Sequence, residues 1–313
     1  MVKRLNIKMN KKVKTRSAFS RRIGEIKRNG VVLNTVGLIP LIWTIVLVFI
    51  FLWGVMVALA NVNWYLDNSN TFIIEEFTGD NFISAIQKFK LQISDGFSLR
   101  WVHYGEMLWN SIWYSVGGTL MRVGTTVCFA YAVSRYEFPG RKILYTFTLL
   151  QMMLPLYGQA VANYSLLSKL GLVDNYGFLI AQGAGHGMYF FILYAFFRNL
   201  PSGYVEAAKM DGAGFFTIFA KIMIPMSKPI ISALVVMQFI GYWNDYEGVL
   251  LFLKSYPTLS SVLYTIRDLA FFLGLQTPEY FAGILIAVFP VATLFIIFNK
   301  QIMENVTLGG LKG

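Results

Sequence analysis

Charged residues are scarce in this chain. Only 14% of its 313 residues are Asp, Glu, Lys or Arg, against roughly 25% in an ordinary soluble domain. Apolar residues make up 56%, and the mean hydropathy is +0.55. A large soluble core would give such numbers too, but here the apolar residues come in long uninterrupted runs. Cysteine is nearly absent: Cys128 stands alone inside an apolar run, which excludes an internal disulfide and a cysteine metal cluster. The two histidines, His103 and His186, are too far apart in sequence for a metal-ligand spacing. No G-x-x-x-x-G-K-[S/T] stretch is present to cradle phosphates. Paired carboxylates and a Ser/His/Asp constellation are missing as well. No metal, no cofactor and no catalytic residue is therefore expected of the chain.

What is there begins with positive charge. The formal net charge is +11, but it does not point to nucleic acid. The basic residues sit in the first thirty positions and in short loops between apolar runs, the pattern of charge held on the cytoplasmic side of a membrane. Residues 1–30 form a basic tail with Lys3, Arg4, Lys8, Lys11, Lys12, Lys14, Arg16, Arg21, Arg22, Lys27 and Arg28 against the single acid Glu25. The tail reads as a solvated segment or as a polybasic one on anionic lipid, each charge then adding about 1 kcal/mol. Both readings place it inside the cell. Tail and following apolar run are too long for a secretory signal.

Residues 31–313 read as a membrane domain. A helix crossing a bilayer needs about 20 apolar residues. Such runs occupy residues 33–60, 106–133, 143–162, 176–197, 229–253 and 280–299. The expected fold is all-α, with six transmembrane helices and both termini cytoplasmic in a multi-pass cell-membrane protein. The basic tail, the turn holding Arg135, Arg141 and Lys142, and the loop Arg198–Lys228 all then fall inside, as the charge rule requires. Residues 61–105 and 254–279 fall outside. Within the first of these, DNFISAIQKFKLQI has helical amphipathic spacing at Phe82, Ile83, Ile86 and Phe89. Pro155, Pro290 and the glycines Gly177, Gly183, Gly185 and Gly187 serve close helix packing, or mark kinked helices along a pathway.

The cytoplasmic stretch LPSGYVEAAKMDGAGFFTIFAKIMIPMSKP reads as two short helices about a glycine turn. Pro201 and Ser202 suit a helix start, residues 204–211 can make two turns, and Gly212 can end them at positive φ. Phe215, Phe216, Ile218, Phe219 and Ile222 then form an apolar stripe that Pro225 closes. A loop so long and so patterned between two spans should have a task.

Glu206-Ala207-Ala208, Asp211-Gly212-Ala213, Phe219, Ile222, Pro225 and Pro229 resemble the EAA loop of ABC importer permeases, written EAAxxDGAxxxxxFxxIxxPxxxP. The DGA form resembles the carbohydrate-uptake branch, to which the maltose permeases belong. The resemblance covers most of the chain: Phe77-Thr78 with Asn81-Phe82, Asn110-Ser111, Ala132 to Arg135, Phe138-Pro139-Gly140-Arg141-Lys142, Leu170-Gly171-Leu172, Trp243-Asn244-Asp245 and the ending Gly309-Gly310-Leu311-Lys312-Gly313 follow in the family's order. The long basic tail and the extended 61–105 segment depart from the shortest members.

The resemblance implies a permease subunit of an ATP-driven importer for a sugar or oligosaccharide. Loop 199–228 would carry the coupling helix, with Glu206, Ala207, Ala208, Asp211, Gly212 and Ala213 at the ATPase. Partners implied are a second, non-identical permease, two copies of a cytoplasmic ABC ATPase, a solute-binding protein outside, and membrane lipids. Glu206 would pair with a basic group of the ATPase, or is a solvated charge. In the fifth span, Trp243 lies about 21 Å from Pro229 at 1.5 Å per residue. Trp243, Asn244 and Asp245 suit sugar stacking and hydroxyl bonding, or alternatively interfacial anchoring and helix–helix hydrogen bonds. Arg122 sits mid-span, where an unpaired charge costs at least about 2.5–3.5 kcal/mol, so it should face the bundle or cavity. Competing readings are another organic solute such as a glycerol-phosphate compound, a membrane enzyme lacking its acids, and a secondary transporter without an inverted repeat.

Overall fold

A computed structural model describes residues 37–69, 71–94, 98–154, 159–270 and 272–308. The basic tail 1–30, the start of the first expected span, Pro155 and the ending Gly309–Gly313 lie outside the described residues.

The chain is mostly helical. Among the described residues, four helices are long and apolar enough to cross a membrane: Gly37–Leu59 (α1), Tyr104–Arg135 (α4), Phe215–Trp243, and Thr277–Asn299 within α14 (Thr277–Leu308). The expected spans at 143–162 and 176–197 each come as two shorter helices. They are α5 (Arg141–Met153) with α6 (Gln159–Lys169), and α7 (Phe178–Gln182) with α8 (Gly187–Asn199). At 1.5 Å per residue α8 reaches about 20 Å, short of a hydrocarbon core of about 30 Å.

Segment 61–105 corrects two expectations. Helix α2 (Val62–Asp67) is followed by α3, which spans Asp80–Lys88 and stops before the end of the amphipathic pattern. KLQIS then alternates with period two, and becomes β1 (Lys90–Ser94), paired antiparallel with β2 (Leu99–His103) in the register Leu91 to Val102 and Ile93 to Arg100. The fold is thus not purely α. Of the expected stripe, Phe89 is buried, while Ile83 and Ile86 are exposed. The face that packs inward is instead Asn81, Ala85 and Phe89.

Two ion pairs fasten this outer cap. Lys88 Nζ donates to both oxygens of Glu279 at 2.8 Å and to Gly274 O at 3.0 Å, joining α3 to the start of α14. Arg100 Nη1 donates to both oxygens of Glu106 at 2.7 and 2.9 Å, and Arg100 Nη2 donates to Ser255 O at 3.0 Å. Several quoted motif residues are joints of the same kind. Asn81 Nδ2 donates to Ala58 O and Ala60 O at the end of α1. Asn110 Nδ2 donates to Pro257 O, and Ser111 Oγ accepts from Leu259 N at the start of α13 (Leu259–Leu269).

Helix α4 runs through the molecule and packs on α8 and on α11 (Ile224–Trp243). Its inner third joins Phe190, Leu193, Phe197, Ile218 and Met223 in one buried cluster. A second cluster, nearer the outer cap, joins Phe89, Val102, Met107, Trp243, Leu259 and Ile266.

Candidate functional site

Loop 199–228 folds as α9 (Gly203–Met210), a turn, and α10 (Phe215–Ile218), ahead of α11. The turn is a Schellman motif: Ala213 N donates to Ala208 O at 2.9 Å and Gly212 N to Lys209 O at 3.0 Å. Gly212 takes φ +79, a region where a side chain bearing Cβ is strained. A Cβ there would meet nothing within 4 Å, so conformation alone sets the demand for glycine in this chain. The last carbonyls of α9 are satisfied by the turn itself.

Glu206, Ala207, Asp211 and Gly212 face outward. Ala208 is buried against the inner cluster with Ile218 and Phe197, and Ala213 packs at its edge. Around them large apolar side chains are exposed: Met210 at 89%, Phe216 at 81%, Phe215 at 68% and Tyr204 at 58%. So much apolar surface beside a self-satisfied turn marks a contact face. Arg135 Nη2 donates to Leu200 O at 2.6 Å and ties the loop to the inner end of α4.

Pro225 does not close the second short helix, as its place in the sequence suggests. The chain passes from α10 through a π-helical turn, Phe219–Met223, into α11 without a break, giving one helix Phe215–Trp243. Ile224 N donates to Phe219 O across the wider turn. Pro225, which has no N–H, then takes a first-turn position of α11 where none is required. The second short helix and α11 are thereby one continuous lever, with the π turn and Pro229 inside it.

The other end of that lever is the polar break. Asn244 caps α11, and Asp245 starts α12 (Tyr246–Phe252) by accepting from Gly248 N at 2.8 Å. The second Asp245 oxygen accepts from the Tyr114 hydroxyl at 2.6 Å. Gly248 is needed here, since a Cβ would collide with the Asp245 carboxylate. Trp243 is 4% exposed, stacks on Phe239, and donates Nε1 to Ala287 O at 3.0 Å. That carbonyl lies beside Ile286, whose helical donor would come from Pro290 and is lacking. Trp243 therefore lies in the seam between α11 and α14, apart from its two neighbours. Asn244 and Asp245 border a cleft of about 400 Å³ with Gln238, Gly241, Tyr242 and Glu247. Asn244 is exposed there, its amide nitrogen held by Ile240 O at 2.9 Å.

Arg122 lies on the inward face of α4, beneath the gap between α7 and α8. A Cβ on Gly185 would stand 2.8 Å from its Nη1. His186, Tyr189 and Tyr242 lie within its electrostatic reach. The Tyr242 hydroxyl donates to Gln182 Oε1 at 2.9 Å. Tyr114, Tyr242, Gln182 and Gln238 were not singled out from the sequence. The signal was a polar or hydroxyl side chain inside each apolar run, which periodicity alone does not separate from a packing residue. A further groove of about 480 Å³ at the inner end of α4 is lined by Cys128, Tyr131, Tyr136, Phe215, Phe216 and Phe219, and is almost wholly apolar.

Four helices long and apolar enough to cross a membrane, among the described residues, mark an integral membrane protein. The chain belongs to the family of binding-protein-dependent transport system inner membrane components, which matches residues 124–306. Its curated relatives include the arabinooligosaccharides transport system permease of Bacillus subtilis, 28% identical over 67% of this chain and 74% of the relative. The maltodextrin transport system permease of the same organism is 30% identical over 65% and 74%. The diacetylchitobiose uptake system permease of Streptomyces coelicolor is 29% identical over 66% and 69%. Among solved structures, a bacterial ABC transporter involved in import of the acidic polysaccharide alginate has a chain with the same fold. Its TM-score is 0.70 at 20% identity, covering 88% of this chain and 97% of that one.

Proposed function

We propose that this chain is a permease subunit of an ATP-driven importer for a sugar or oligosaccharide. The observation that carries the reading is the match to oligosaccharide permeases over about two thirds of the chain, within a family the chain belongs to. Six spans cross the membrane, the four long helices and the two divided ones, with both termini in the cytoplasm. The basic loops on one side support that orientation. Loop 199–228 seats α9 in a separate ATPase, with Glu206, Ala207, Asp211 and Gly212 at the contact. The exposed apolar ring around that turn supports this. Ala208 and Ala213 hold α9 to the membrane helices behind it. ATP is consumed by two copies of that ATPase, a solute-binding protein delivers the cargo outside, and a non-identical sister permease completes the pathway.

In this reading the lever Phe215–Trp243 links the ATPase to the cleft at Asn244 and Asp245. Motion of α9 reaches the cleft through the Gly212 turn, which joins α9 to the helix Phe215–Trp243. Cargo hydroxyls find the Asn244 side chain, while Trp243 keeps α11 on α14. Purification of the intact complex from its native membrane tests the assembly. Two ATPase copies and one related permease are expected with this chain. Two copies of this chain with no sister overturn the heterodimer. External cysteine labelling is expected in 61–105 and 254–279, and strong labelling of 199–228 from outside overturns the topology.

A further inference from the structure

The mid-membrane arginine has no counter-charge. Among the described residues the ion pairs are Lys88–Glu279, Arg100–Glu106, Glu137–Arg141 and Arg267–Asp268, and none involves Arg122. Its Nε is buried without a hydrogen-bond partner. Counting from Arg135 at 1.5 Å per residue, it stands about 20 Å from the inner end of α4. A charge at that depth is costly, and such residues usually mark a substrate or ion path.

Two further features converge on the same place. Helix α8, 13 residues long, begins beside Arg122 at Gly187 with no side-chain cap, so its first amides add partial positive charge. The second feature lies on α4 itself. Thr119 and Ser115 stand three and seven residues before Arg122 on the same face. Both are buried, and the hydroxyl of each lacks a partner. Buried hydroxyls without partners are uncommon. Here they are enclosed in the packing of α4, on the face that carries Arg122.

We infer that Arg122, with the start of α8, receives an anionic group of the cargo, so that the imported sugar carries a carboxylate or a phosphate. This rests on the importer reading above and narrows its substrate class. Arg122 supplies the full charge at mid-depth. The guanidinium fork suits either acid, and the missing side chain at Gly185 lets it lie against the segment just before α8.

The test is uptake by cells carrying the complete importer, with its sister subunits and binding protein. A labelled panel would hold uronate oligosaccharides, sugar phosphates and neutral oligosaccharides. The wild type is expected to take up an acid-bearing member, and the member chosen separates carboxylate from phosphate. Arg122→Met should lose that uptake at least tenfold with unchanged amounts of assembled complex, while Arg122→Lys should keep most of it. Unchanged uptake in Arg122→Met overturns the inference. Loss of assembled complex in proportion to uptake also overturns it, because Arg122 then serves as counter-charge to a sister subunit. A wild type that takes up only neutral sugars overturns it and leaves the importer reading standing. Uptake of no member of the panel overturns both.

Discussion

The turn at Gly212 and the break at Asn244–Asp245 flank the two ends of one helix, Phe215–Trp243, and their side chains are treated oppositely. At the turn the backbone satisfies itself, and the side chains around it are left exposed. At the break the side chains are used up: Asp245 serves both Tyr114 and Gly248, and Trp243 serves Ala287. A surface can keep apolar side chains exposed in this way only if its backbone needs nothing from them. An interruption inside the bundle has no water to complete it, so neighbouring side chains must do so. The comparison separates two kinds of polar interruption that look alike in sequence.

The largest effect is expected at the turn. Gly212→Val forces a β-branched residue to φ +79, at a cost of about 1–3 kcal/mol, and should re-aim α9 without touching the spans. Membrane insertion should be normal. Transport should be lost, with ATP hydrolysis either uncoupled or unresponsive to the binding protein in reconstituted complexes. Gly212→Asn sharpens the point, since Asn tolerates the left-handed region and the chain itself leaves room for a side chain. Transport retained in Gly212→Asn assigns the requirement to φ. Loss in both variants assigns it to close approach of the partner. Wild-type transport in Gly212→Val removes the turn from coupling.

A middle effect is expected at the break, where the two polar neighbours should separate. Asp245→Leu removes the cap of α12 and leaves the Tyr114 hydroxyl unpaired. The expected loss is about 2–4 kcal/mol of stability, read as a lowered unfolding midpoint in detergent. Asn244→Leu touches only its own helix and the cleft, so it should leave that midpoint alone and lower uptake severalfold. Equal destabilisation by both would erase the distinction between cap and cleft.

Four of the six expected spans were legible in the sequence as long helices, because burial in lipid demands length and hydrophobicity, which composition records directly. The interruptions were not. Gly183 to His186 divides the fourth run without changing its hydropathy much, and glycines there suit either a packed helix or a broken one. The hairpin after Phe89 was hidden for a related reason. Five residues of alternation in KLQIS are too few to outvote the helical pattern they follow. At the candidate site, Gly212 could be read from its own chemistry, since positive φ is a local property. The partners of Asp245 could not, because Tyr114 is 131 positions away. Nor could the continuity of Phe215–Trp243, since Pro225 signals a stop unless a π turn is known to precede it.

The smallest effect is expected at Trp243. Its ring packs on Phe239 and its Nε1 reaches Ala287 O beside the site Pro290 disturbs. Trp243→Phe keeps most of the ring area and gives up that one bond. The Ala287 carbonyl retains its second lone pair for the α14 backbone, so the loss should be about 1 kcal/mol, with the seam between α11 and α14 still closed. Uptake should stay near wild type and the unfolding midpoint should fall slightly. A residue that stacks on cargo would behave in the reverse way, with uptake falling sharply and the midpoint unmoved. That outcome would mean that Trp243 leaves its seam during transport and joins Asn244 at the cleft. The break would then be a moving part of the pathway, no longer a fixed joint between two helices.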